Sequence, residues 1–453
     1  MNLFDAAKRI FSLAIPMAGT QLINVASSFL CMTMLAQLGH EVLAASALIY
    51  STQIATIVTA MSMLFSLSVL ISHANGASQY KSIGNYVQQG WTVAILISIP
   101  LMIFYWYIGP ILIYFGQTPE ITTIVQKFFH AYFFAVIPGM IATCNMQFGY
   151  GIHKKRLIVS TSFSGMLVLV VSAYILIFGK FGIPPQGVAG LGYALTAQYS
   201  FFCIVTTLFF YFSEHFKKYE LFRYRVFQHL DHFKKMFKVG WPICVQMSGE
   251  VMSLFVTGIM VGWLGTHSLA AYQIANQYYF LAVIPLFSFS QASGILVGQA
   301  NGAKQFHEIK VLGNASIAVV LSLNFIIALL FLGMPKILAS AYIDVHSPDN
   351  AQVLHYTVIV FAILAFSQIF DGVRNILIGV TRGLFDTKFP MYMGLIVIWL
   401  IGMPLAYLFA FVFHWGLTGI VSGGLISMII GASIMIARWL HLTRKYDGII
   451  STS

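Results

Sequence analysis

The stretch from Trp241 to Ala303, WPICVQMSGEVMSLFVTGIMVGWLGTHSLAAYQIANQYYFLAVIPLFSFSQASGILVGQANGA, decides the fold. It reads as two apolar spans joined by a short turn at 264–268. A lone acid, Glu250, sits about two turns into the first span. A carboxylate at that depth is expensive in hydrocarbon, which makes it a functional-site candidate by default. The stretch also repeats an earlier one. The offset that carries Pro242 onto Pro16 carries Leu264-Gly265 onto Leu38-Gly39 and Leu269-Ala270-Ala271 onto Leu43-Ala44-Ala45. It also carries Ala300-Asn301-Gly302-Ala303 onto Ala74-Asn75-Gly76-Ala77, and Gln305 onto Gln79. One constant offset over so long a stretch argues for duplication. Glu250 lands on Asn24, so the two copies differ at the charged position.

Composition agrees with this reading. The 453 residues are 59% hydrophobic and only 8% charged, a balance that excludes soluble globular classes and fits a polytopic membrane protein. At about 20 apolar residues per crossing, the chain holds roughly twelve spans with short loops. The N-terminal MNLFDAAKRIF runs into an apolar segment with no small-residue cleavage site, so it reads as the first span. A net charge of +11 could suggest nucleic acid, yet the charges are placed by topology. Apart from Lys127, Lys180, Lys336 and Arg374, the 24 Lys and Arg fall in alternate loops and at the termini. That bias predicts both termini on the cytoplasmic side. Cys31, Cys144, Cys203 and Cys244 lie in apolar runs without CxxC spacing and suggest neither disulfides nor zinc.

Apolar runs predict spans near 11–37, 45–72, 88–115, 123–149, 157–180 and 188–213, then 239–264, 268–298, 312–333, 353–380, 390–412 and 417–439. The expected fold is an all-α polytopic membrane protein of twelve transmembrane helices in two parallel six-helix lobes, 1–213 and 239–453. Residues 214–238 form a basic cytoplasmic linker, with 213–235 expected as an amphipathic helix. Thr118-Pro119-Glu120 and Ser347-Pro348-Asp349 carry helix-start chemistry, an N-cap hydroxyl followed by Pro and an acid. Trp91, Trp241, Trp263, Trp415 and Trp439 lie near span ends, where an aromatic belt would place them. Parallel halves are a recurring transporter plan with the substrate site between the repeats.

Of the 13 acids, only Glu250 and Asp371 fall inside spans. A carboxyl taken out of water holds a proton more readily, and two of them could equally offer hard oxygen ligands to Na+. The blander alternative is hydrogen bonding within the bundle. Arg374, one turn after Asp371, either pairs with it or reaches toward the cytoplasmic interface. Gln246, Gln273, Asn276, Gln277 and Tyr279 form the next tier, with Asn24 as the first-half counterpart of Glu250. Amides and aromatics of this kind suit bulky organic cations, although helix-to-helix hydrogen bonding explains any one of them as well. GxxxxGK[ST], HExxH and GxSxG are absent, so no ATP-driven or hydrolytic chemistry is signalled.

Taken together, these residues resemble the multidrug and toxic compound extrusion (MATE) family. The resemblance is carried by Trp241-Pro242 with Glu250, by LGTHSLAAYQIA, by VGQANGA, and by FSQIFDGVRNILIGVTRGLFDTKFP around Asp371. It implies export of lipophilic, often cationic compounds against inward H+ or Na+, with Glu250 and Asp371 matching the coupling acids of the C-terminal lobe. The chain departs from the family where many bacterial members carry a first-span Asp, reading Leu30-Cys31-Met32-Thr33 instead. Ser367 also stands where sodium-coupled relatives often have Tyr, and Arg374 is unusual there. These departures shift weight to the C-terminal lobe and favour H+ over Na+.

The expectation is therefore an alternating-access antiporter, monomeric, in the cytoplasmic membrane, with no enzymatic activity and no cofactor beyond its coupling ion. Its partners are small organic cations and the lipid bilayer, with no nucleic acid. Rival readings are a lipid-linked oligosaccharide flippase, which would want a cavity lined with Arg and Lys, and a membrane-embedded enzyme.

Overall fold

In the computed structural model, residues 1–223 and 230–452 are described, and among them there is no strand. Among the described residues, twelve helices are long and apolar enough to cross a membrane. They are α1 (Leu3–Ala36), α2 (His40–Gly76), α3 (Tyr80–Trp106), α4 (Pro119–Gly151), α5 (Lys155–Phe178), α6 (Val188–Phe212), α7 (Leu230–Gly262), α8 (Thr266–Gly302), α9 (Phe306–Gly333), α10 (Pro348–Gly383), α11 (Lys388–Val412) and α12 (Gly416–Lys445). Several run past the apolar core that announces them: α1 starts well before residue 11, and α7 before 239. Hydropathy marks only the part that needs hydrocarbon, whereas the backbone can continue its hydrogen bonding into polar ends. One consequence touches the site. Helix α10 extends to Gly383, so Arg382, expected just beyond the span, lies inside it.

The duplication is written in the backbone. Helices α2 and α8 both start after a glycine at positive φ, Gly39 at 118° and Gly265 at 97°. Both end on a non-glycine residue in the left-handed region, Ser78 at 55° and Lys304 at 58°. Each end is closed the same way: Gln79 N–H donates to Ala74 O at 2.8 Å, and Gln305 N–H to Ala300 O at 2.9 Å. Helices α4 and α10 repeat the device with His153 at 60° and Phe385 at 63°. Lys154 N–H reaches Gly149 O at 2.8 Å and Asp386 N–H reaches Thr381 O at 3.0 Å. These six-to-one closures satisfy carbonyls that a helix end would otherwise orphan. Left-handed backbone costs a side chain about 1–2 kcal/mol, so four such residues at equivalent places mark inherited turns.

Three expectations change. Thr118 and Ser347 precede Pro at the helix start, yet neither hydroxyl makes a capping bond. Trp91 and Trp439 are buried packing residues. Their indoles donate to Asn145 Oδ1 at 2.9 Å and Asn314 Oδ1 at 3.1 Å, and of the five named tryptophans Trp263 and Trp415 are exposed as belt residues would be. The linker is not a single amphipathic helix. It is a one-turn helix Glu214–Lys217 followed by turns to residue 223, with 224–229 outside the described residues and α7 beginning at Leu230. Its turns are anchored because buried carbonyls need donors. Gln88 Nε2 donates to the carbonyls of Glu220, Leu221 and Arg223 at 3.2, 3.0 and 3.2 Å. Phe216 and Tyr219 pack on Phe148.

Two compact units emerge, Pro16–Cys244 and Met1–Ile15 with Val245–Ser453. They differ from the expected lobes in a reciprocal way. The start of α1 counts with the later unit, where Arg9 Nη1 reaches Glu308 Oε2 at 3.3 Å and Phe11 packs edge-on against Phe289 at 5.2 Å. The start of α7 counts with the earlier unit, where His232 packs on Tyr86 at 4.7 Å and Cys244 Sγ donates to Thr59 O at 3.3 Å.

Within the later unit, glycines bring α8, α10 and α12 close. A Cβ on Gly294 would meet Gly379 O at 2.6 Å, and one on Gly379 would collide with Ser290. On α12, Gly419, Gly423, Ser427 and Gly431 recur every fourth residue, a small-residue ridge of the kind that lets membrane helices approach. The ridge meets α11, which carries two wide π segments, Ile396–Gly402 and Leu408–Val412. Ser427 Oγ donates to Val397 O in the first of them at 3.0 Å. At the end of the ridge, Gly431 faces the stem of Arg374.

Candidate functional site

Helix α10 presents Asp371, Arg374, Asn375 and Arg382 at spacings of roughly one and three turns, which puts them along one stripe. Helix α7 offers Gln246 and Glu250 one turn apart, and α8 offers Tyr279. All belong to the later unit, and they form one hydrogen-bonded chain. Arg374 is its centre. Its Nη1 donates to Glu250 Oε1 at 2.9 Å, while Nη2 and Nε donate to Asp371 Oδ1 at 2.9 and 3.2 Å. Of the two alternatives for Arg374, pairing is what the structure shows, and it pairs with both acids.

The two carboxylates are held differently. Asp371, only 3% exposed, also accepts Asn375 Nδ2 on Oδ1 at 3.0 Å and Tyr279 OH on Oδ2 at 3.1 Å. Three of the four donors fall on Oδ1, so Asp371 is held chiefly through that oxygen. Glu250 keeps 22% exposure and receives its side-chain donors on Oε1 alone, from Arg374 and from Gln246 Nε2 at 3.2 Å. Gln246 turns its own oxygen to Arg382 Nη2 at 3.0 Å. Arg382 is buried, and its Nε has no hydrogen-bond partner. With both acids ionised, the Glu250–Arg374–Asp371 triad carries one negative charge, and the second guanidinium balances it.

The network gathers some of the expected residues and leaves others apart. Glu250, Asp371, Arg374, Gln246 and Tyr279 come together. Gln273 and Gln277 are exposed on α8 and Asn276 is half-buried, with no bond to the network. Gln277 precedes Tyr279 by two positions, about 200° around a helix, so its amide looks elsewhere. Asn24 lies exposed in the other unit, its carbonyl accepting Ser28 Oγ at 3.0 Å. Sequence reasoning passed over Asn375 and Arg382. Asn375 stands one turn from Asp371, a spacing that could have found it. Arg382 was hidden by a span boundary drawn three residues short, so Arg374 is not the only base inside a span.

The earlier unit has the same frame without the charges. Superimposing the ends of α4 and α10 by sequence puts Tyr150 at the place of Arg382, Gly139 at Asp371 and Ala142 at Arg374. The equivalent of Gln246 is Thr20, and Tyr150 OH donates to Thr20 Oγ1 at 3.1 Å, where Arg382 donates to Gln246. A helix-to-helix hydrogen bond is thus common to both copies. The buried ion pairs of Arg374 belong to the later copy.

Comparison with known proteins bears on the family and the fold. The sequence profile of the MatE family matches residues 16–175 and 242–408, one match in each half. A probable multidrug resistance protein NorM of Synechocystis sp. is 27% identical over 411 residues, covering 89% of this chain and 88% of that protein. Its namesake in Pseudomonas aeruginosa is 28% identical over 431 residues, covering 94% and 88%. The fold is shared with the crystal structure of the eukaryotic MATE transporter AtDTX14, at a TM-score of 0.84 and 20% identity over 98% of both chains. It is shared too with the Vibrio cholerae MATE transporter VcmN in its bent form, at 0.85 and 17% over 98% of both. A profile that fits both copies of the repeat, and a fold common from end to end, make this chain a member of the MatE, or multidrug and toxic compound extrusion, family.

Proposed function

We propose that this protein exports lipophilic organic cations from the cell in exchange for H+, working as a multi-pass transporter of the cytoplasmic membrane by alternating access. The observation that carries the reading is the Glu250–Arg374–Asp371 cluster, buried among helices that span hydrocarbon. Ionisable groups kept at such cost inside a membrane protein mark ion or substrate paths. The multidrug-resistance names of the relatives support the same class, and a transporter needs no catalytic centre.

Within the cluster, Glu250 is the coupling acid. Asp371 is committed to Arg374, Asn375 and Tyr279, whereas Glu250 keeps Oε2 for a proton or a cationic ligand. With Glu250 ionised the cluster, Arg382 included, is neutral and tolerates an organic cation. With Glu250 protonated it carries a net positive charge that repels one. Substrate and proton then favour opposite states of one site, which is all that coupling requires.

The test is efflux of a fluorescent organic cation from proteoliposomes, driven separately by a pH gradient and by a Na+ gradient. Wild type is expected to pump with the pH gradient, and Glu250→Gln is expected to lose that pumping while remaining folded. Normal pumping by the variant refutes the role of Glu250. A dye that moves under neither gradient refutes the substrate class or the antiporter reading, and lipid flipping is then the assay to run.

A further inference from the structure

We propose that Arg374 is a built-in cation occupying the place between Glu250 and Asp371 that a metal ion would take, and that it makes this cluster refuse Na+. The inference rests on the reading of this cluster as the ion-coupling centre, and it assigns the residue that sets ion choice.

Two carboxylates on facing helices, inside a membrane protein, are a natural Na+ site because hard monovalent cations take oxygen ligands. Here one oxygen of each acid, Glu250 Oε1 and Asp371 Oδ1, is already engaged by the same guanidinium. One guanidinium reaches Glu250 Oε1 at 2.9 Å through Nη1 and Asp371 Oδ1 at 2.9 Å through Nη2, so it spans the gap between the acids. Asn375 adds a third donor to Asp371 Oδ1, and Tyr279 takes one approach to Oδ2. A Na+ entering here would have to displace a charge-assisted hydrogen bond and then sit beside a fixed positive charge in a medium that screens poorly.

Arg374 is also held there by its surroundings. The side chain is 6% exposed. Its stem lies against Gly431, where a Cβ would come within 2.9 Å of Arg374 Cδ. The second charged neighbour works in the same direction, since Arg382 hydrogen-bonds Gln246, which in turn donates to Glu250. Arg cannot lose its proton in a protein, so the tethered charge is permanent. The charged and titratable groups facing Arg374 are thus Glu250 from α7, Tyr279 from α8 and Asp371 from its own helix, with Arg382 one residue removed.

The test reads ion binding without requiring transport. Thermal unfolding of the purified full chain in detergent is followed in equimolar NaCl and KCl for wild type, Arg374→Gln, Arg374→Met and Arg374→Lys. Wild type and Arg374→Lys, which keep a tethered cation, are expected to unfold at the same temperature in both salts. The neutral variants are expected to gain a saturable Na+-specific rise, and adding Asp371→Asn should remove it. The inference is overturned if wild type shows the Na+-specific rise, or if a folded neutral variant shows none. Should neither neutral variant fold, wild type and Arg374→Lys still decide: a Na+ response in either overturns the proposal, and silence in both upholds it. Failure of dye efflux under every gradient would sink the export reading and leave this result standing. A Na+ response in wild type would sink the role of Arg374 and leave export intact with Na+ as the driving ion.

Discussion

At the scale of single residues, the two acids differ in what they can give up. Asp371 is almost fully buried and wholly engaged, so Asp371→Asn leaves Arg374 with half its compensation. Removing one partner of a buried ion pair costs roughly 3–5 kcal/mol. Glu250 is partly exposed, and glutamine there can still accept from Arg374. Thermal unfolding in detergent should therefore rank Asp371→Asn well below Glu250→Gln, and the reverse order would contradict the assignment of roles. Tyr279→Phe removes one donor to a charged acceptor and should cost about 1.5–3 kcal/mol by the same measurement. Much of this site was legible beforehand, because acids inside apolar runs are rare and elimination left only two. Their neighbours were less so. Gln246 and Tyr279 could be named as candidates, but which face of α8 turns inward depends on packing that sequence spacing alone does not fix. Arg382 sits in the last turn of α10, where hydropathy has already faded while the helix continues.

Helix packing sets how that cluster is built. Gly424 and Gly431 lie on the same helix in opposite circumstances. A Cβ on Gly424 meets nothing within 4 Å, and one on Gly431 meets Arg374 Cδ at 2.9 Å and Val397 Cγ1 at 3.4 Å. Gly424→Ala should stabilise by about 0.4–1 kcal/mol through the unfolded state. Gly431→Ala should destabilise, by about 1–3 kcal/mol for overpacking, and should lower efflux because the Arg374 stem has to move. Melting curves for the pair would show opposite signs. Span existence and order could be read from the sequence, since a dozen apolar runs separated by polar breaks admit few alternatives. The wide turns of α11 could not. Nothing in IVIWLIG distinguishes a π segment from ordinary helix until Ser427 is seen reaching Val397 O.

For the whole molecule, the constant offset in the sequence foretold a duplicated architecture, and paired left-handed turns at Ser78 and Lys304 record it in the backbone. The charge bias predicts a cytoplasmic C-terminus. Fused after the last residue, a fluorescent protein should glow and alkaline phosphatase should stay inactive; an active phosphatase would reverse the orientation. Unit boundaries were not legible, because which half claims the first fifteen residues depends on partners hundreds of positions away. That reciprocal exchange has a consequence for how the protein is made. Arg9 leaves the ribosome 299 residues ahead of its partner Glu308. At about 5–20 residues per second, the N-terminal arm waits on the order of 15–60 s for the surface it packs on. The start of α7 arrives when its own partners in the earlier helices already exist. Assembly is therefore staggered: the earlier unit can close as soon as residue 244 is inserted, and the segment around Arg9 waits for the later unit before it docks.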